Sequence, residues 1–149
     1  MEDAFRILLA EDNEDDAVLF ERALGAVPNA HLVWHAHDGD EAINYLEGTR
    51  IFSDRKEHPF PDVLVLDLKM PNRNGFEVLE WLRGRFPRLK VGVFSSSDLP
   101  EDISRAQALG AHLYQAKTIN PEVMQHFLQS LGRLALSDKT ESTSFEEDP

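Results

Sequence analysis

The chain has no cysteine among its 149 residues, which excludes a disulfide framework, thiolate metal ligation and redox chemistry on sulfur. Bases are scarce: 15 Lys and Arg stand against 27 Asp and Glu, a formal net charge of −12. Such a chain repels a phosphate backbone and offers no basic stripe, so nucleic-acid binding is not expected. No apolar run approaches the roughly 20 residues that span a bilayer, and Met1-Glu2-Asp3-Ala4-Phe5 is not a basic, apolar leader. These absences point to a soluble, cytoplasmic protein without membrane contact.

What is present is 42% apolar composition, enough for one substantial core at this length. Short β-branched or apolar runs alternate with helical patterns. The strands are expected at 6–10, 31–36, 62–66, 90–94 and 112–115. The helices are expected at 15–25, 41–47, 76–85, 101–109 and 121–136. This order predicts α/β architecture, a doubly wound sheet of five parallel strands with helices on both faces. Val63-Leu64-Val65-Leu66 lacks polar alternation and should be the central, doubly covered strand. Residues 48–61, with Pro59 and Pro61, read as a long surface loop. One domain is expected over 1–136, followed by an acidic tail over 137–149, rich in Ser and Thr, that is expected to be disordered or loosely attached.

In such a sheet the ligand site lies beyond the carboxyl ends of the strands, at a topological switch point. Glu11 and Asp12 follow the first apolar strand, and Asp67 follows the third. If those strands are neighbours, three carboxylates converge, and their mutual repulsion calls for a cation among them. An all-oxygen set suits Mg²⁺ or another hard divalent cation. Ser95 follows the fourth strand and Lys117 the fifth, adding a hydroxyl and an ammonium at the same edge. A nucleophile, a metal and donors for the equatorial oxygens are what phosphoryl transfer requires.

Four segments, Leu9-Ala10-Glu11-Asp12-Asn13, the run from Leu66-Asp67-Leu68-Lys69-Met70-Pro71 to Gly75, Phe94-Ser95-Ser96-Ser97, and Lys117, resemble the response-regulator receiver family over about residues 5 to 136. The resemblance implies a flavodoxin-like (βα)5 receiver fold and a role in a two-component phosphorelay. It implies that a histidine kinase phosphorylates Asp67, that Glu11 and Asp12 bind the metal directly or through water, and that the Lys69 backbone carbonyl completes the protein ligands. Ser95 would follow the phosphoryl group, Lys117 would pair with it, and Tyr114 matches the aromatic that swings inward on activation. Phosphorylation and dephosphorylation would be self-catalysed rather than enzymatic turnover of a substrate. The long loop, Pro59-Phe60-Pro61-Asp62 and the absence of Pro after Lys117 resemble single-domain receivers that serve phytochrome-type kinases. The output would be contact with a downstream protein or transfer to a histidine phosphotransfer partner.

Two departures stand out. Lys117-Thr118 replaces the Lys-Pro of many receivers, so its peptide is either trans or strained. Lys69 places a long cation two residues beyond the acceptor, where it either tunes phosphoryl lifetime or extends into solvent.

A haloacid-dehalogenase-like phosphatase is the rival from another class, but it needs a second Asp where Lys69 stands. A flavodoxin-like electron carrier needs a phosphate loop where Glu11 to Asp15 would repel a phosphate. His35 and His37 lack a third ligand for zinc, and Asp12 to Asp16 lack the glycine and terminal glutamate of a calcium loop. Trp34 and Trp81 read as core or rim aromatics. Along the last helix Val123, Phe127, Leu131 and Leu134 form one face, which Met124, Leu128 and Ala135 widen. That width leaves one edge as the expected apolar contact of a possible homodimer.

Overall fold

The computed structural model describes residues 3–147, with side chains through Asp138. Five strands, β1 (Phe5–Ala10), β2 (Ala30–Ala36), β3 (Val63–Leu66), β4 (Lys90–Ser95) and β5 (Leu113–Ala116), alternate with α1 (Glu14–Leu24), α2 (Gly39–Glu47), α3 (Gly75–Leu82), α4 (Pro100–Ala108) and α5 (Pro121–Glu147). All pairings are parallel, in the order β2-β1-β3-β4-β5. The chain therefore leaves β1 to one side for β2 and returns to its other side for β3. That reversal is the switch point, and β3 is the central strand.

Strand alternation divides the core in two. Leu8, Ala10, Leu64 and Leu66 face Ala42, Ile43, Val78 and Ala106 of α2, α3 and α4. Ile7, Leu9, Val63 and Val65 face Ala17 and Phe20 of α1 and Met124, Phe127 and Leu131 of α5. Both sides of β1 and β3 are thus covered, which is why their sequences carry no polar alternation.

Caps fix the helix starts. Asn13 accepts from the Asp16 amide at 3.0 Å, and Asp38 accepts from the Glu41 amide at 2.7 Å, so α2 begins two residues earlier than its apolar pattern suggests. Asn74 and Glu77 form a complete capping box at α3. Helix α4 has no side-chain cap and starts on Pro100; the only residue it buries fully is Ala106.

Three expectations change. The 48–61 segment lies on the surface but is packed: the Arg55 guanidinium donates to the Tyr45, Leu46 and His58 carbonyls at 2.8, 2.8 and 3.2 Å. Phe52 and His58 meet Trp34 edge-on at 5.1 and 5.3 Å. Helix α5 does not stop at Leu136, because nothing from Ser137 to Glu147 is a Gly or Pro that would break it. Asp138 pairs with Lys90 at 3.3 Å; the side chains from residue 139 onward, most of the expected tail, lie outside the described residues. Finally, Met124, Leu128 and Ala135 are buried within the monomer, so the widened α5 face packs on the sheet and leaves only Leu134, 39% exposed, and part of Val123 outside.

Candidate functional site

Register brings the acids together. Ala10 is opposite Leu66, and the Asp67 amide donates to the Ala10 carbonyl at 3.0 Å, so Glu11 and Asp67 emerge side by side where the strands end. Glu11, Asp12 and Asp67 offer carboxylate oxygens that lie within 4.8 Å of one another. Glu11 and Asp67 are buried, whereas Asp12 is exposed.

The Lys117 amide donates to the Ser95 carbonyl at 2.7 Å, which sets the lysine beside the end of β4. Its ammonium reaches across the edge to Asp16 at 2.6 Å, Glu11 at 2.9 Å and Asp67 at 3.1 Å. Burial pushes the Glu11 carboxyl up to about 7; the Lys117 hydrogen bond opposes this, and the Asp67 charge adds to it. Burial works against the Lys117 charge, but hydrogen bonds to Asp16 and Glu11 and the Asp67 carboxylate outweigh it, holding the ammonium above the ordinary lysine range. Lys117 is therefore a fixed positive charge. The donor set fits a hard divalent ion: the oxygens converge, and a cation would relieve the cost of ionising buried Glu11 beside Asp67.

Ser95 is fully buried at the last position of β4, where its Oγ accepts from the Ser97 amide at 3.4 Å. Tyr114 is half-buried and donates to the Ser97 carbonyl at 2.8 Å. Lys69 is exposed, while its amide donates to Asp67 Oδ1 at 3.3 Å. The backbone holds no cis peptide among the described residues, so Lys117-Thr118 is trans and that departure carries no strain.

The loop after Asp67 is strapped to α2. Asn72, at φ 64°, donates to Asp38 at 2.7 Å, and Arg73 donates to Asp40 at 2.9 Å. A Cβ on Gly39 would run into the Arg73 carbonyl, and one on Gly75 into the Asp67 carbonyl. Both glycines are needed for close backbone approach.

Sequence reasoning missed Asp16, which reads only as a favourable acid in the first turn of α1. A contact spanning 101 residues leaves no local pattern. It also missed His35, whose Nε2 lies 2.7 Å from the Glu11 carbonyl. The rings of His35 and His37 lie 4.3 Å apart, tilted by 31°, with His37 close to Glu14 and Glu41 at 3.4 and 3.7 Å.

Residues 7–129 match the family model of the response regulator receiver domain. The nitrate/nitrite response regulator protein NarL of Escherichia coli strain K12 is 30% identical over 134 residues, covering 89% of this chain and 57% of that protein. The chain thus spans little more than half the length of that relative. The crystal structure of the phosphorylated cyanobacterial phytochrome response regulator RcpA is similar at a TM-score of 0.74 and 28% identity, over 90% of this chain and 95% of that one. The Mn²⁺-bound form of response regulator Rcp1 is similar at 0.72 and 25%, over 82% and 90%.

Proposed function

From the premise that this chain belongs to the response regulator receiver domain family and is a two-component phosphoacceptor, we propose that Asp67 is the residue that takes the phosphoryl group and that Glu11, Asp12, Ser95 and Lys117 serve its transfer. The observation that carries this reading is the convergence of Glu11, Asp12 and Asp67 under the Lys117 ammonium. An Asp67 carboxylate oxygen attacks the phosphorus of a phosphohistidine. The phosphorus–nitrogen bond breaks, its electron pair stays on the imidazole, and an acyl phosphate remains on Asp67. Lys117 neutralises oxygens of the transferring group, and the Ser95 hydroxyl donates to another. In the subsequent dephosphorylation water attacks phosphorus, the bond between phosphorus and the Asp67 oxygen breaks, inorganic phosphate leaves, and the Asp67 carboxylate is restored. Both reactions are self-catalysed by these residues.

Mg²⁺, or another hard divalent cation, would be held by Glu11, Asp12, Asp67 and the Lys69 carbonyl, and when bound it supplies charge neutralisation for the phosphoryl oxygens. The similarity to Rcp1 in its Mn²⁺-bound form supports this donor chemistry. Tyr114 serves as the switch residue alongside Ser95, and Lys69 tunes the lifetime of the acyl phosphate. The working domain is 1–136, and the acidic stretch that follows it continues α5 through Glu147.

The partner that donates is a histidine kinase, of phytochrome type on the likeness to RcpA. The output is a remodelled protein-contact surface or onward transfer to a histidine phosphotransfer protein. No helix among the described residues is long and apolar enough to cross a membrane, and a cytoplasmic setting is part of the same proposal. The phosphatase reading gains nothing, since Lys69 stands where its second Asp is required.

Incubation with a small acyl phosphate and Mg²⁺, followed by mapping of the alkali- and hydroxylamine-labile adduct, tests the assignment. An adduct at Asp67 is expected. A stable adduct elsewhere, or none, would overturn it.

A further inference from the structure

Helix α1 contains an acid that its own cap does not use. Asp16 is the third residue after the Asn13 cap, and its amide donates to Asn13 Oδ1 at 3.0 Å. In a complete capping box the acid at that position reaches back to the cap amide, as Glu77 does toward Asn74 at 3.0 Å. Here the Asn13 amide is already bonded to Glu11 Oε2 at 3.1 Å. Asp16 is released from that duty and turns to Lys117, making the shortest of the three ammonium contacts.

We propose that Asp16 is a positioning residue that draws the Lys117 ammonium toward α1 and competes with the phosphoryl group on Asp67 for it. The inference rests on Asp67 being the acceptor. Three carboxylates, Glu11, Asp16 and Asp67, hold this ammonium, so each incoming phosphoryl oxygen meets a cation that is already engaged. Charge added at Asp67 strengthens its claim on Lys117 and weakens the bond to Asp16. A cleft of about 170 Å³, lined by Asp16, Leu19, Phe94, Lys117, Thr118 and Ile119, opens the pair to solvent on one side. Asp16, whose side chain is 30% exposed, can therefore be hydrated when Lys117 leaves it, which keeps the exchange reversible. The first turn of α1 is in this way coupled to the occupancy of Asp67.

The test compares wild type with Asp16→Asn, which keeps size and an acceptor oxygen, and Asp16→Ala, which removes both. With acetyl phosphate and Mg²⁺, both variants are expected to label about threefold to tenfold faster and to lose the label more slowly by a similar factor. Rates equal to or slower than wild type overturn the inference. A wild-type chain that takes no label would instead overturn the acceptor assignment. NMR of the Lys117 ammonium in metal-free protein decides independently of labelling: its protons are expected to exchange faster with water in both variants, and unchanged exchange overturns the proposal. Circular dichroism melts confirm the fold of each variant.

Discussion

Tyr114 donates its hydroxyl proton to the main-chain carbonyl of Ser97 at 2.8 Å, joining β5 to the loop that follows Ser95. Burial holds the phenol above its usual range, with the Ser97 and Ser95 hydrogen bonds opposing, so it remains a donor at neutral pH. Tyr114→Phe removes the donor and leaves the ring's packing intact. Stability is expected to fall by about 1 kcal/mol, measured by denaturant unfolding.

Asp67→Asn is expected to reduce the acyl phosphate label to background while leaving the fold as stable as wild type or more so. The residue is buried beside Glu11, and an amide of equal size removes a like-charge contact. A destabilised variant would show that the Asp67 charge supports the fold.

The Glu11 shift gives a pH dependence. Its carboxyl rises from 4.5 to about 7 on folding, so the stability linked to its bound proton is fully present below about pH 4.5 and is lost as pH rises through about 7. Lys117, held above the usual lysine range, stays charged throughout this window and adds no slope. The Glu11 contribution, wild type minus Glu11→Gln in metal-free protein, is expected to fall by up to about 3 kcal/mol across the window; the His112 imidazole, which burial holds below its ordinary range, adds a slope of opposite sign to both proteins and cancels in that difference. Chemical unfolding at pH values spanning it, in chelator, is the measurement. Identical profiles for wild type and Glu11→Gln would show that Glu11 ionises without cost.

Lys69→Ala is expected to leave divalent affinity unchanged, because the ligand assigned to this position is a main-chain carbonyl and the side chain is exposed. Decay of the phosphorylated form is expected to change by a fewfold, since a long cation near the acceptor either contacts phosphoryl oxygens or obstructs water. Identical decay would show a side chain that serves only solvation.

Gly75→Ala is expected to cost about 2 kcal/mol or more, because its new methyl would meet the Asp67 carbonyl and the Leu68 backbone. Thermal melting checks this. A near-neutral variant would mean that the loop after β3 shifts freely.

The fold is legible in the sequence because β1 and β3 are apolar on both faces and each ends in an acid, so their alternation and their chemistry point to one edge. Asp67, Glu11 and Lys117 can be read from strand ends alone. Asp16 cannot, since an acid early in a helix is already explained by the helix dipole. Arg55 is equally hidden: its three carbonyl partners satisfy the end of α2 and part of the loop after it, a match that depends on geometry rather than spacing. On α5, Met124 and Leu128 read as surplus to a narrow stripe, but a helix lying on a sheet buries a wider arc than one packed on a single helix.

Helix α4 buries one residue, Ala106, where α2 buries five. Its Arg105 lies over the Phe76 ring at 4.1 Å, a contact that tolerates sliding better than interdigitated side chains do. Local opening free energy follows buried contact, so backbone amides of α4 should exchange deuterium earlier than those of α2. Helix α4 is therefore the easier element to displace, and a change at Ser95 or Tyr114, on the strands beside it, needs little free energy to be expressed as movement there.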